Sequence, residues 1–91
     1  MRIKVLAFAS FKEILGKETL LDLDEGSTVK DLLERLALGN RKLREAAFDE
    51  SGNLKDYVLL MVNRKRIDHS DLNFSLKDGD EAAIFPPVAG G

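Results

Sequence analysis

Asp78-Gly79-Asp80-Glu81-Ala82-Ala83-Ile84-Phe85-Pro86-Pro87-Val88-Ala89-Gly90-Gly91 is a turn, a short apolar run and an abrupt stop. The Asp-Gly-Asp turn leads into Ala82–Phe85, which reads as a strand. Pro86 and Pro87 end that strand, because proline has no N–H to give a ladder. Consecutive prolines favour the stiff, extended polyproline II form. Beyond them stand Val88, Ala89 and two glycines. A Gly-Gly end adds nothing to the stability of a globular domain, since glycine loses the most backbone entropy on ordering. The pattern divides the chain into a folded domain at 1–85 and an extended C-terminal tail at 86–91, expected to be flexible in the free protein.

A terminal glycine presents its α-carboxylate with no side chain beside it, and a Gly-Gly backbone reaches dihedrals closed to other residues. From Pro86 to Gly91 an extended segment spans roughly 15–20 Å, at about 3.1 Å per residue. That length places the Gly91 carboxylate inside a partner's active site while the domain stays outside. Pro86, Pro87, Val88, Ala89 and Gly90 are then the stretch a partner's channel would hold.

Working back from this end, residues 57–62 form the strongest strand pattern, apolar on both faces as in a covered central strand. Asn63-Arg64-Lys65-Arg66 reads as a turn that carries charge into a short strand near Ile67. His69, the only histidine, sits in a polar loop beside Asp68 and Asp71 and reads as surface decoration. Leu72, Phe74 and Leu76 are expected to return to the core. Earlier, residues 2–9 alternate as a strand. Ile3, Val5, Ala7 and Ala9 point one way, and Arg2, Lys4, Leu6 and Phe8 the other. Ser10 is the expected cap of a short helical turn through Phe11, Ile14 and Leu15, stopped at Gly16. Residues 18–23 read as a second strand, antiparallel to the first.

The main helix is expected over Thr28–Leu38, with Ser27 or Thr28 as N-cap and Thr28-x-x-Asp31 approximating a capping box. Val29, Leu32, Leu33 and Leu36 fall at i, i+3, i+4 and i+7, which makes one buried face. Gly39 is the expected stop. Asn40 caps a weaker second helix through Leu43, Ala46 and Ala47, whose cations Arg41, Lys42 and Arg44 read as a solvated face. Asp49–Asp56 is polar and reads as a loop. Two strands, a helix and further strands make an α+β chain with a mixed sheet and helices on one face.

The 91 residues suit one small domain, and 44% hydrophobic content is too high for disorder. With no membrane span or signal-like apolar block, a cytoplasmic location is the default expectation. The chain has no cysteine, which excludes disulfides, zinc–thiolate sites and a thiol nucleophile. With 14 basic and 16 acidic residues mixed along the chain, neither nucleic acid nor an anionic membrane is an expected partner. There is no phosphate loop, paired histidines or nucleophile motif, and no metal site is expected. Asp80 and Glu81 read as ordinary turn acids.

The C-terminal run, together with Ile3-Lys4-Val5-Leu6-Ala7-Phe8-Ala9 and Thr28-Val29-Lys30-Asp31-Leu32-Leu33, resembles the MoaD/ThiS family of ubiquitin-like sulfur carriers. The Phe85-Pro86-Pro87 portion is most similar to small subunits of molybdopterin synthase. The resemblance covers most of the chain and is weakest between Gly39 and Asp56. Relatives often have Asn-Gly where this chain has Asn63-Arg64. It implies a ubiquitin-like β-grasp fold, with the first and last strands side by side in the centre. Phe8 would then lie near Phe85 on the face away from the main helix, forming with Leu6 and Ala83 an apolar partner-binding patch.

The resemblance further implies that Gly91 is adenylated and then converted to a thiocarboxylate. An E1-like adenylating enzyme would supply ATP and Mg²⁺, and a molybdopterin synthase large subunit would receive the loaded tail and use its sulfur for the molybdopterin dithiolene. The chain itself would bind no cofactor and would not be catalytic alone. Some archaeal relatives with the same ending become attached to protein lysines, so a ubiquitin-like modifier is a second reading. A plain interaction domain is the third.

Overall fold

A computed structural model of the chain describes residues 1–86. Strand β1 (Arg2–Ala7) leads to helix α1 (Ala9–Leu15), strand β2 (Glu18–Asp22), helix α2 (Val29–Gly39) and helix α3 (Arg41–Ala47). Strands β3 (Leu59–Val62) and β4 (Lys65–Ile67), a 3₁₀ turn at His69–Asp71 and strand β5 (Glu81–Phe85) complete it. The five-stranded sheet has the order β2-β1-β5-β3-β4. The central pair β1 and β5 is parallel, and the other neighbours are antiparallel. This is the β-grasp arrangement, in which the first and last strands meet in the middle of the sheet.

Period-2 alternation assigns the two faces. Ile3, Val5 and Ala7 of β1, Leu60 and Val62 of β3, and Ala82 and Ile84 of β5 are buried. Val29, Leu32, Leu33 and Leu36 pack from α2 onto that same face, sharing a lining with Val5, Leu60, Val62, Ala82 and Ile84. Phe11 of α1 and Leu43 and Ala47 of α3 join the same core. Each Leu side chain buried this way contributes about 2 kcal/mol from removal of apolar surface.

The start of α2 is doubly secured. Thr28 Oγ1 accepts from the Asp31 N–H and the Asp31 carboxylate accepts from the Thr28 N–H, a complete capping box. The carbonyls of Phe74 and Leu72 accept from the N–H groups of Val29 and Lys30, two donors that no intrahelical bond can satisfy. This use of the 72–76 backbone turns Phe74 outward to 48% exposure, whereas the sequence pattern placed it in the core with Leu72 and Leu76.

Other expectations are corrected by local geometry. Ser10 lies inside α1, and Phe8 holds the N-cap position with no side-chain bond. Gly39 is the last residue of α2 rather than a left-handed stop. The extended Asn40 closes α2 and caps α3, its Oδ1 accepting from the Leu43 N–H. The strand read at 57–62 is limited to Leu59–Val62, with Tyr57 exposed. The segment 86–91, read as a tail, begins where β5 ends, and residues 87–91 lie outside the described residues.

Candidate functional site

The helices cover one face of the sheet, and the opposite face carries its own apolar set. In register, β1 Leu6 faces β5 Ala83, and Ala83 faces β3 Met61. One step along, β5 Phe85 faces β3 Leu59. Phe8 continues the outward side of β1 and stacks on Phe85, with ring centroids 4.3 Å apart and planes at 7°. Leu6, Leu59, Met61, Ala83 and Phe85 are half-buried, and Phe8 is 40% exposed. The sheet topology thus brings together Leu6, Phe8, Ala83 and Phe85 on one face of the sheet.

Leu59 and Met61 belong to the same face, and the sequence reading missed them. Both parities of their strand are apolar, a pattern that fits a strand covered on both sides. Apolar residues on the uncovered parity were the available signal.

Ala9 fixes how the face ends. Its φ of 51° is left-handed, a conformation that costs a residue with a Cβ. This reversal turns the chain into α1 directly after Phe8 and stops β1 from running on past Phe85.

The entrance to β5 is held by a polar network. Asn63 donates its N–H to the Glu81 carbonyl at 2.8 Å, and its Oδ1 accepts from the Glu81 N–H at 3.0 Å. Asn63 Nδ2 donates to Asp80 Oδ1, and Asp80 Oδ2 accepts from the Lys77 N–H. Asp80 is therefore an acceptor that holds the turn.

The other end of β3 is held by His69. The ring Nε2 lies 2.6 Å from the Val58 carbonyl oxygen. A carbonyl only accepts, so Nε2 carries the proton. The β3–β4 register, extended two residues past Leu60↔Ile67, sets His69 opposite Val58. The chain leaves β4 for the 3₁₀ turn there, and the imidazole takes the place of the missing ladder donor. His69 is half-buried and ties the strand end, which corrects its reading as surface decoration. Next to it, Asp68 accepts from the Ser70 N–H at 3.0 Å and from Ser70 Oγ at 3.1 Å. Those bonds, and more weakly the nearby His69 and Arg66 charges, hold its carboxyl below the usual carboxylate range.

Among the described residues no cluster of three or more His, Cys, Asp or Glu side chains is placed to hold a metal ion. No helix among them is long and apolar enough to cross a membrane. Of the residues singled out at the C-terminus, Pro86 is described and half-buried, while Pro87, Val88, Ala89, Gly90 and Gly91 lie outside the described residues.

A β-grasp sheet with helices on one side, and with no described element over the side on which its central strand ends, defines a ubiquitin-like protein. The chain belongs to the ThiS family, which it matches over residues 5–91. It is 33% identical over 100 residues to small archaeal modifier protein 3 of Haloferax volcanii, with all of both chains covered. It is 34% identical over 92 residues to the molybdopterin synthase sulfur carrier subunit of Chlamydomonas reinhardtii, again with full coverage of both. Its fold matches the crystal structure of SAMP1 from Haloferax volcanii with a TM-score of 0.90 at 30% identity, covering 100% of both chains. It also matches a chain in the complex of subunits 1 and 2 of the molybdopterin-converting factor from Helicobacter pylori, with a TM-score of 0.66 at 25% identity and 100% of both chains covered.

Proposed function

We propose that this chain is the sulfur carrier subunit of a molybdopterin synthase. One observation carries the reading. The central strand β5 ends at Phe85 on the face away from the helices, stacked on Phe8, so the chain reaches Pro86 beside an apolar surface suited to a partner. The names of full-length relatives, and the two-subunit assembly of the Helicobacter pylori protein, support it.

The chemistry follows from the carboxylate. A free carboxylate is a poor electrophile, and transfer of AMP from ATP onto Gly91 releases pyrophosphate and makes a mixed anhydride. An E1-like enzyme holding ATP and Mg²⁺ performs that step. A sulfur donor displaces AMP and leaves the thiocarboxylate. In the synthase large subunit, Pro86–Gly90 threads a channel, and two loaded chains in turn each pass one sulfur to a cyclic pyranopterin precursor, which supplies the two sulfurs of the dithiolene. Water returns the carboxylate. The chain itself is a carried substrate and docking subunit.

The test is intact-protein mass spectrometry of the chain treated with its adenylating enzyme, ATP and a sulfur donor. One C-terminal oxygen is expected to be replaced by sulfur. Addition of large subunit and precursor is expected to restore the carboxylate mass as molybdopterin forms.

The full-length likeness to the Haloferax modifier protein supports a second reading, conjugation of Gly91 to lysines. Both readings need the adenylate and diverge at the acceptor. Accumulation of the chain joined through Gly91 to lysines, without turnover of a thiocarboxylate, would replace the carrier by the modifier.

A further inference from the structure

The two outer strands of the sheet, β2 and β4, differ. Strand β4 has three residues and gives way to the 3₁₀ turn. Strand β2 has five, and its register with β1 runs from Arg2↔Asp22 to Leu6↔Glu18 without a bulge. Very short strands, prolines and bulges commonly keep an edge from pairing further. Strand β2 has none of these. In an antiparallel ladder, opposed residues alternate between bonded and non-bonded pairs. The Leu23 N–H donates to the Met1 carbonyl and the Ala7 N–H to the Lys17 carbonyl, so Thr19 and Leu21 form the bonded pairs between them. The N–H and C=O groups of Glu18, Leu20 and Asp22 therefore point away from β1, where the sheet ends. Leu20 stands in the middle of this edge, 53% exposed.

The surface beside the edge is acidic. Asp31, Glu34, Arg35 and Leu38 fall at i, i+3, i+4 and i+7, one stripe of α2. With the end of β2 and the loop that follows it, they line an open groove. The groove holds the carboxylates of Asp22, Asp24, Glu25, Asp31 and Glu34 and the Arg35 guanidinium. Arg2 Nε lies 3.4 Å from Asp22, and the N-terminal amine 3.8 Å from Glu25. With those two cations included, carboxylates still outnumber cations five to three. Leu38, 81% exposed, adds apolar surface to the α2 wall.

We infer that the outer edge of β2 accepts an extended segment of another protein as an added strand, and that this segment alternates basic and apolar residues. Its backbone bonds to the outward N–H and C=O groups of the edge. Its side chains alternate between the two faces of the sheet. Leu20 shares a face with Lys4, away from the helices, so the residue opposite Leu20 is apolar and packs on it. The residues on either side of that one turn toward α2. There a lysine or arginine lays its stem along Leu38 and its charge among the groove carboxylates. A second copy of this chain does not meet these requirements. Antiparallel pairing of two β2 edges about Leu20 sets Glu18 of each copy across from Asp22 of the other, and like charges directly opposed destabilise a sheet. The groove end of this edge is remote from the C-terminal chemistry. Asp22 pairs with Arg2 at the start of β1, whereas Phe85 stacks on Phe8 past its end. The inference therefore goes beyond the reading of Gly91 and stands or falls separately from it.

The test is amide hydrogen exchange of the full chain, followed by NMR during titration with a short capped peptide of alternating lysine and valine, at about 50 mM salt. Exchange at Leu20 and Asp22 is expected to slow about 10-fold near saturation, with Thr19 and Leu21, already bonded to β1, unchanged. A glutamate–valine peptide is expected to give no protection. A fully N-methylated lysine–valine peptide keeps its charge but cannot donate to the edge, and it is expected to give none either. Asp24 and Glu34 are exposed, so Asp24→Asn and Glu34→Gln leave the core untouched. Each is expected to weaken binding of the lysine–valine peptide about 3-fold, and the double variant about 10-fold. No protection by the lysine–valine peptide, or equal protection by either control peptide, overturns the inference. So does unchanged peptide affinity in the double variant. Protection of Leu20 and Asp22 in the free chain, with a dimer in sedimentation, overturns it in favour of a second copy.

Discussion

Phe8 and Phe85 lie face to face, ring centroids 4.3 Å apart, although one follows the first strand and the other closes the last. Only the parallel pairing of β1 with β5 can bring them together. The stack covers one side of each ring, and half-exposed apolar surface remains beside the point where the chain leaves the sheet. Aromatic pairs of this kind contribute about 0.5–1.5 kcal/mol beyond their buried area.

Aromatic anchors dominate many interfaces. Phe8→Ala and Phe85→Ala are expected to weaken binding to both the adenylating enzyme and the synthase large subunit, each by on the order of 2 kcal/mol. Calorimetric titration measures the loss, and circular dichroism checks the fold. Full affinity for both partners in folded variants would remove this face from the mechanism.

Ala9 provides a test of stored backbone strain. Its left-handed φ of 51° costs an alanine roughly 1–2 kcal/mol. Glycine relieves that cost but loses more entropy on folding. Ala9→Gly is therefore expected to stabilise the domain by a net of about 0.5 kcal/mol. Urea unfolding reads this as a higher midpoint at constant slope, and a lower midpoint contradicts it.

His69→Ala strips the Val58 carbonyl of its donor. Leaving such an acceptor unpaired is expected to cost about 1–2 kcal/mol of stability. His69→Gln, which keeps an N–H donor at similar reach, should recover part of it. Neutral imidazole protonated at Nε2 and imidazolium both donate from that atom, so the tie is expected to hold in either state. Equal unfolding midpoints for wild type and His69→Ala would show that water replaces the ring without cost.

The Ser70 bonds lower the folded pKa of Asp68 below its unfolded value. Asp68 then contributes stability that is fully present above the ordinary carboxylate range and is lost as pH falls through the depressed folded value. NMR titration is expected to give an Asp68 midpoint below that of an unperturbed aspartate. In Asp68→Asn the stability difference from wild type should shrink as the solution is acidified through that window. A difference that stays constant into acid would assign the effect to something other than ionisation.

Much of this architecture is written in short-range pattern. The β1 alternation, the Thr28–Asp31 capping box, the apolar face of α2 and the Asn40 cap each depend on residues within one or two turns of one another. Local sequence suffices for these because the competing conformations are local too. Phe74 and His69 depart from their local patterns for a shared reason. Each has a good local role, and a distant partner or the path of the chain overrode it. Phe74 shows this most directly, since its carbonyl serves the start of α2 and its ring is left outside.

By itself the sequence determined most of the elements, their buried stripes and, by its lack of cysteine, the exclusion of thiol chemistry. Tertiary structure decided which side of the sheet stays bare, because alternation names two faces without saying which one the helices cover. It added Leu59 and Met61 to Leu6, Phe8, Ala83 and Phe85, because cross-strand register alone sets them in one row. It also assigned His69 to Val58. That depends on where β4 pairs and where its ladder stops, which is settled by contacts between strands rather than by the residues within them.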